Sequence, residues 1–248
     1  LFGLPIAIKD LTPIKGMPTT SGSLLEKDNV AEFDNLEFER IKIHSPVILG
    51  KTNTPEFGLM GHTENLLKDH CRTPWDHNKS AGGSSGGAGS AGAAGFCSIA
   101  MGGDAGGSIR IPSSYNGIFG IKPTQGRVPR RAFPVHNMIS QGGPMTRYVE
   151  DSALMLEIIS GFSSEDPSSM HKPPIQFEDE FWEYSVKEYF QKKHSKKQLN
   201  IAWIDNFGSV TPNTEIKTSC LNALSQLEKD GHTITPVKFE LNEIFKSW

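Results

Sequence analysis

Cysteine is scarce in this chain, with Cys71, Cys97 and Cys220 the only three among 248 residues. They lie far apart, their number is odd and no Cys-x-x-Cys pair occurs, which excludes a zinc ribbon and a disulfide scaffold. The eight histidines are scattered and never form His-x-x-x-His, so no metal site is expected. No uninterrupted apolar run approaches the roughly 20 residues that span a bilayer. An excess of one charge is lacking too. Lys and Arg number 25 against 28 Asp and Glu, a formal net charge of −3, and no basic stripe is present, which argues against nucleic acid as the main partner. The densest basic run, Lys192 to Lys197, is short, sits beside the acidic Glu178-Asp179-Glu180 and reads as solvated surface. Scattered cysteines fit a reducing compartment, so a cytoplasmic protein without membrane association is expected.

What is present is ordinary in bulk: 36% hydrophobic and 21% charged residues suit one sizeable core or two small ones. Gly3 to Lys9 reads as a buried strand ending in lysine, and Pro46 to Gly50 as a second strand. Asp34 to Ile43 carries a weak helical pattern through Leu36, Phe38 and Ile41. Ala88 to Ile99 is compatible with a tightly packed small-residue helix, followed by a strand over Ser98 to Met101. Val149 to Ser160 predicts a largely buried helix with Gly161 suited to its C-terminal cap. Ser163 to Lys172 is a loop. Leu199 to Ile204 and Thr233 to Phe239 read as strands. Between them lies a helix that Thr211 can cap, with Pro212 at its first position, Gly231 at its end, and Ile216, Cys220, Leu224 and Leu227 on one face. Strand, helix, strand with short connections indicates an α/β fold with at least partly parallel pairing.

From Ser80 to Gly107 the composition shifts sharply to Gly, Ser and Ala, which suggests either a flexible linker or a glycine-lined buried site where backbones approach closely. Two short motifs in this block fail on context. Gly87 to Gly92 satisfies Gly-x-Gly-x-x-Gly, but the residues before it (Trp75 to Ser80) are polar and the position of the ribose-binding acid is Pro112. Gly82-Gly83-Ser84-Ser85-Gly86 satisfies Gly-x-Ser-x-Gly, but a nucleophile elbow needs a strand immediately before it, which the sequence does not suggest, and a histidine base after it.

Read whole, the block is far more specific. Gly82 to Gly87, Gly102-Gly103-Asp104-Ala105-Gly106-Gly107-Ser108-Ile109-Arg110-Ile111-Pro112 and Gly117 to Thr124 closely resemble the amidase signature family. Gly3 to Asp10, Lys15 to Ser23, Ile48 to Gly58, Thr63-Glu64-Asn65 and Gly143 to Arg147 follow in the family's order. The resemblance is strong over residues 1–165 and holds in outline over 166–248, an outer α/β segment. It implies the amidase signature fold, a large twisted mixed β-sheet flanked by helices. The chain opens on Leu1-Phe2-Gly3 rather than methionine and stops at Trp248, so the expectation is a partial domain, 1–248, marginal or inactive alone.

The resemblance also implies a Ser-Ser-Lys triad, carried here onto Ser108 as nucleophile, Ser84 as proton relay, preceded in the family by a cis peptide bond, and Lys9 as base. Serine is a poor nucleophile until a base takes its proton, and a Ser-Lys arrangement can replace Ser-His-Asp. Lysine must be neutral for this, so its pKa must fall, which burial among apolar neighbours achieves. Asp10 should therefore point away. Ala105, Gly106, Gly107 and Ser108 can offer backbone N–H groups as an oxyanion hole. Asp104 and Arg110 read as loop support, and Lys51 and Lys122 match non-catalytic positions.

Gly103 stands where the family often has threonine, Gly89 and Gly92 add glycines to its first helix, and Cys71 to Trp75 departs from the usual Thr-Arg-Asn-Pro-Trp. The implied activity is hydrolysis of a small-molecule amide through an acyl-enzyme without a cofactor, with a homodimer allowed. An alternative is the A subunit of a tRNA-dependent amidotransferase. That protein usually carries a Ser-Ser-Leu-Asp-Gln-like stretch where this chain has Asn137 to Gln141, and Gly61 to Asn65 also looks more like free-standing amidases. A truncated, non-catalytic relative used only for interaction is the third reading.

Overall fold

A computed structural model describes residues 1–131, 139–170, 198–206 and 211–238. The basic run at Lys192, the acidic run at Glu178, and the Asn137-Met138 pair lie outside the described residues. Packing divides the chain into two units, Leu1–Gln191 and Lys192–Trp248.

In the first unit the buried apolar runs form the centre of a five-stranded sheet. Strands β1 (Pro5–Lys9), β2 (Val47–Thr52), β5 (Ile99–Asp104), β6 (Phe119–Gly120) and β7 (Gln141–Thr146) stand in the order β2-β1-β5-β7-β6. β1 pairs in parallel with both β2 and β5, and β7 runs antiparallel to β5 and β6. The sheet is thus mixed, as expected. Because side chains alternate along β1, Ile6 and Ile8 join Phe38, Ile41, Met101, Met155 and Ile159 in one core. Ala7 faces the other way, with Ala88, Ala100, Ile109 and Met145. Helices α1 (Leu36–Lys42) and α4 (Val149–Ile159) supply the first layer, and α2 (Gly86–Ala93) and α3 (Arg110–Asn116) the second. Asn35 caps α1 through its own side chain, and Gly161, at φ 118°, follows the last turn of α4.

The Gly/Ser-rich segment is core, not linker. A Cβ at Gly87 would collide with the backbone of Asn53, and one at Gly86 with Thr63, so small residues let α2 lie directly on its neighbours. β7 is the element the sequence hid: Gln-Gly-Gly-Pro-Met-Thr has little strand propensity, yet all six residues are buried between β5 and β6. Bareness is what the position requires, since a Cβ at Gly143 would meet the Ile121 carbonyl oxygen. α3 was hidden as well, because Pro112 obscures a helix in whose first turn proline is tolerated.

A strand does precede the Gly-x-Ser-x-Gly motif. β3 (Arg72–Thr73) and β4 (Asp76–Ser80) form an antiparallel ribbon, a correction to the expectation that none stood there. It is polar, largely exposed and outside the central sheet, unlike the buried strand an elbow crowns.

In the second unit β8 (Asn200–Trp203) and β9 (Thr233–Pro236) pair in parallel across α5 (Thr214–Lys229), the strand-helix-strand unit expected from the sequence. The cap is Asn213, whose side chain accepts from the Glu215 N–H at 2.8 Å, rather than Thr211. Its half-buried stripe is Lys217, Cys220, Leu224 and Leu227. Ile216 is 63% exposed, one position out of phase with that face.

Candidate active site

Ligand sites of open α/β sheets gather at the carboxyl ends of parallel strands. β1 and β5 run in parallel with Ile8 opposite Met101, so the end of β1 lies beside Gly102 and Gly103. Lys9 occupies that end. It is only 2% exposed, and its ammonium donates to Ser84 Oγ at 2.6 Å and to the Gly103 carbonyl at 3.4 Å. Its pKa falls from 10.5 to about 7, chiefly through burial and then through the Arg130 charge, with Asp104 acting in the opposite sense. Removing water disfavours the charged form, and the opposing Asp104 charge does not undo the effect. Asp10 does turn away, accepting from Thr20 N–H and hydroxyl and facing the Lys51 ammonium at 3.3 Å. Lys51 also donates to the Thr12 carbonyl at 2.7 Å and to Thr19 Oγ1 at 3.1 Å, a knot that ties the loop after β1 to β2. Lys122 spends its ammonium on the Pro123 carbonyl.

Ser84 sits in a clamped turn. The Gly83–Ser84 peptide is cis. Thr63 Oγ1 donates to the Gly82 carbonyl at 2.9 Å and accepts from the Gly86 N–H at 3.1 Å. Asn116 Nδ2 donates to the carbonyls of Ala81 and Pro112. A Cβ at Gly83 would come within 2.7 Å of the His62 backbone. Ser85 opens α2 and hydrogen-bonds both the N–H and the carbonyl of Gly103, so the turn is fastened to β5.

Ser108 ends the loop that follows β5. Asp104, fully buried, holds that loop from inside: its carboxylate accepts from the N–H groups of Gly107 at 2.7 Å, Ile109 at 3.0 Å and Arg110 at 3.3 Å. The Arg110 guanidinium adds two bonds at 2.9 and 3.0 Å. Burial by itself would raise the Asp104 carboxyl, but Arg110 and these N–H donors outweigh it and hold the pKa at about 2. The Ser108 carbonyl accepts from the Ser85 N–H at 3.1 Å, locking the two serine segments together. Lys9, Ser84, Ala105 and Ser108 line one cavity of about 1000 Å³. The Gly107 N–H is committed to Asp104. Among the described residues the N–H groups of Ala105, Gly106 and Ser108 have no acceptor.

Sequence reasoning named the two serines, the lysine and the Asp104–Arg110 support. It assigned no role to Thr63, Ser85 and Asn116, which fix the Ser84 turn, although Thr63 opens the Thr63-Glu64-Asn65 motif. It missed Glu37 and Arg130 in the same cavity wall. The signal for Glu37 is an acid set between the buried Leu36 and Phe38 at the start of α1.

Fold and site together describe a glycine-lined lysine–serine site at the carboxyl end of a mixed α/β sheet, and comparison with known proteins gives the family to which such a fold belongs. The chain belongs to the amidase signature family: the Amidase family matches residues 1–246. It is 41% identical over 237 residues to an acylamidase of Rhodococcus erythropolis, covering 95% of this chain and 47% of that protein. It is 39% identical over 235 residues to the A subunit of the glutamyl-tRNA(Gln) amidotransferase of a Sulfurihydrogenibium species, covering 94% and 46%. Among solved structures, a bacterial aryl acylamidase of the amidase signature family superposes with a TM-score of 0.84 at 26% identity, over 100% of this chain and 51% of that one. A 6-aminohexanoate cyclic dimer hydrolase gives 0.82 at 29% identity, over 95% and 48%. The chain therefore spans about half the length of the relatives it matches.

Proposed function

We propose that this chain carries the reacting groups of an amidase that cuts carbon–nitrogen amide bonds to a carboxylate and ammonia or an amine. Ser108 Oγ attacks the amide carbonyl as its proton passes through Ser84 to neutral Lys9. The tetrahedral oxyanion is received by N–H groups of Ala105, Gly106 and Ser108, with Gly107 withdrawn from the expected set because Asp104 already holds it. Collapse breaks the carbon–nitrogen bond, and the proton returns from Lys9 through Ser84 to the leaving amine, leaving an acyl-Ser108 ester. Water then attacks that ester by the same relay, releasing the carboxylate and restoring Ser108. No step calls for a cofactor.

The observation that carries this reading is the 2.6 Å bond between a buried Lys9 and Ser84, with the Lys9 pKa lowered to about 7, which suits a general base at neutral pH. The free thiols of Cys71, Cys97 and Cys220 support a cytoplasmic setting.

The second reading, the A subunit of an amidotransferase, draws on relatives such as the one 39% identical. Ammonia release from simple primary amides separates the two. An amidase releases ammonia with no tRNA and no other protein present, and Lys9→Ala and Ser108→Ala each remove most of that release. Release that depends on tRNA or on a second protein favours the alternative.

A further inference from the structure

Two polar atoms in the wall of the proposed site have no partner among the described residues: Glu37 Oε2 and Arg130 Nη1. Glu37 comes from α1 and is 3% exposed. Its other oxygen accepts from Thr12 Oγ1 and Asn35 Nδ2, both at 3.2 Å, so the side chain is fixed. Its free oxygen lies where a Cβ at Gly142 would collide with it, and glycine at 142 therefore leaves room for it beside the cavity. Arg130 is placed by its backbone N–H, which donates to Asp166 Oδ2 at 2.8 Å. Burial raises the Glu37 carboxyl above its usual range and the Arg130 charge works against that rise; the same charge acts on Lys9. Buried polar atoms are nearly always paired, and a fixed exception calls for an explanation such as an absent ligand or water. Here the two exceptions share one cavity with the reacting serines.

Resting on the amidase reading, we infer that Glu37 and Arg130 form a specificity subsite for a second, neutral hydrogen-bonding group on the substrate, a carboxamide distant from the scissile bond. Glu37 Oε2 offers an acceptor and Arg130 Nη1 a donor. A carboxamide returns one N–H and one C=O, satisfying both without adding charge. A carboxylate would satisfy Arg130 but set a second anion against buried Glu37. An ammonium would satisfy Glu37 but face the Arg130 cation. A methyl group would leave both atoms desolvated and unpaired, the situation that yields strong discrimination.

The test compares kcat/KM for linear primary amides of matched length whose far end is a carboxamide, carboxylate, ammonium or methyl group, with ammonia release as the readout. The wild type should prefer the carboxamide end over the methyl end by about tenfold or more, and over both charged ends. Glu37→Val should bring the carboxamide-to-methyl ratio close to one. Should that variant not fold, Glu37→Gln serves: its oxygen takes the Thr12 and Asn35 donors, its NH2 faces the cavity as a donor, and the ratio should again collapse. Preference for a charged end, or a ratio unchanged in either variant, overturns the subsite. Labelling of Ser108 by a serine probe together with hydrolysis that ignores the far end also removes it, leaving water as the partner of both atoms and the amidase reading intact. Absence of both labelling and hydrolysis removes the amidase reading, and this inference with it.

Discussion

In the proposed mechanism Lys9 is the base, and its burial makes its protonation visible in two separate measurements. With a pKa of about 7, the neutral form grows as pH rises, so turnover should climb through about pH 7 and level off above it. Lys9→Ala should lower kcat by on the order of 10²–10⁴, and Lys9→Arg should not rescue it because arginine stays protonated. Retention of near-normal turnover by Lys9→Arg would contradict the role of base. Stability follows the same proton. Between about pH 7 and 10.5 the unfolded chain holds a proton on Lys9 that the folded chain lacks, so folding becomes more favourable as pH rises across that window. Denaturant melts of wild type and Lys9→Met should show the difference shifting towards the wild type from pH 7 to 10.5. An unchanging difference would mean that Lys9 is charged in the fold. The lysine itself was legible because the family's motif marks it; an apolar strand leading into a lysine would, without that motif, read as a strand ending at the surface. Glu37 and Arg130 were not, since what distinguishes them is an absent partner across the cavity, and no local pattern records that.

At the scale of elements, the loop from Asp104 to Arg110 is held by one buried carboxylate, and removing it should act on Ser108 from a distance. Asp104→Ala leaves the donors of Gly107, Ile109 and Arg110 without their acceptor and should cost at least about 2 kcal/mol of stability, read from denaturant melts. It should lower kcat more than it raises KM if, as proposed, Ser108 is the nucleophile, since Asp104 holds the loop of Ser108 from its buried side. The Asp104 pKa is depressed from 3.8 to about 2, so its contribution is complete above about pH 4 and is lost as pH falls towards 2. Wild-type stability should decline in that window, and an Asp104→Asn variant should lack that part of the decline. The glycines make a second case. Gly87→Ala would drive a methyl group into the Asn53 backbone, and overpacking of this kind typically costs about 1–3 kcal/mol. A variant as stable as wild type would show that α2 is free to move off β2. Elements with apolar periodicity, β1, β2 and α4, could be read from the sequence. β7 and α3 could not, because glycine and proline there serve close backbone approach and a helix's first turn, and both look locally like loop.

For the molecule as a whole, the first unit gathers both serines, the lysine, the loop that holds Ser108 and the cavity they line. The second is a βαβ unit whose described helix residues are none of them fully buried. What makes the site readable from the residues alone is the order of several long motifs rather than any one of them; the dinucleotide and elbow patterns in the same glycine-rich block show how little a single short motif decides. The polar ribbon β3–β4 shows the converse, a strand without the periodicity that would announce it. In the proposed mechanism Ser108 forms the acyl-enzyme while Ser84 relays its proton. Treatment with a fluorophosphonate probe, followed by peptide mass spectrometry, tests it most directly. One adduct is expected, on the peptide at Ser108, lost in Ser108→Ala and slowed in Lys9→Ala. An adduct on Ser84 or Ser85 in the unmutated protein, or labelling that survives Ser108→Ala, would contradict it.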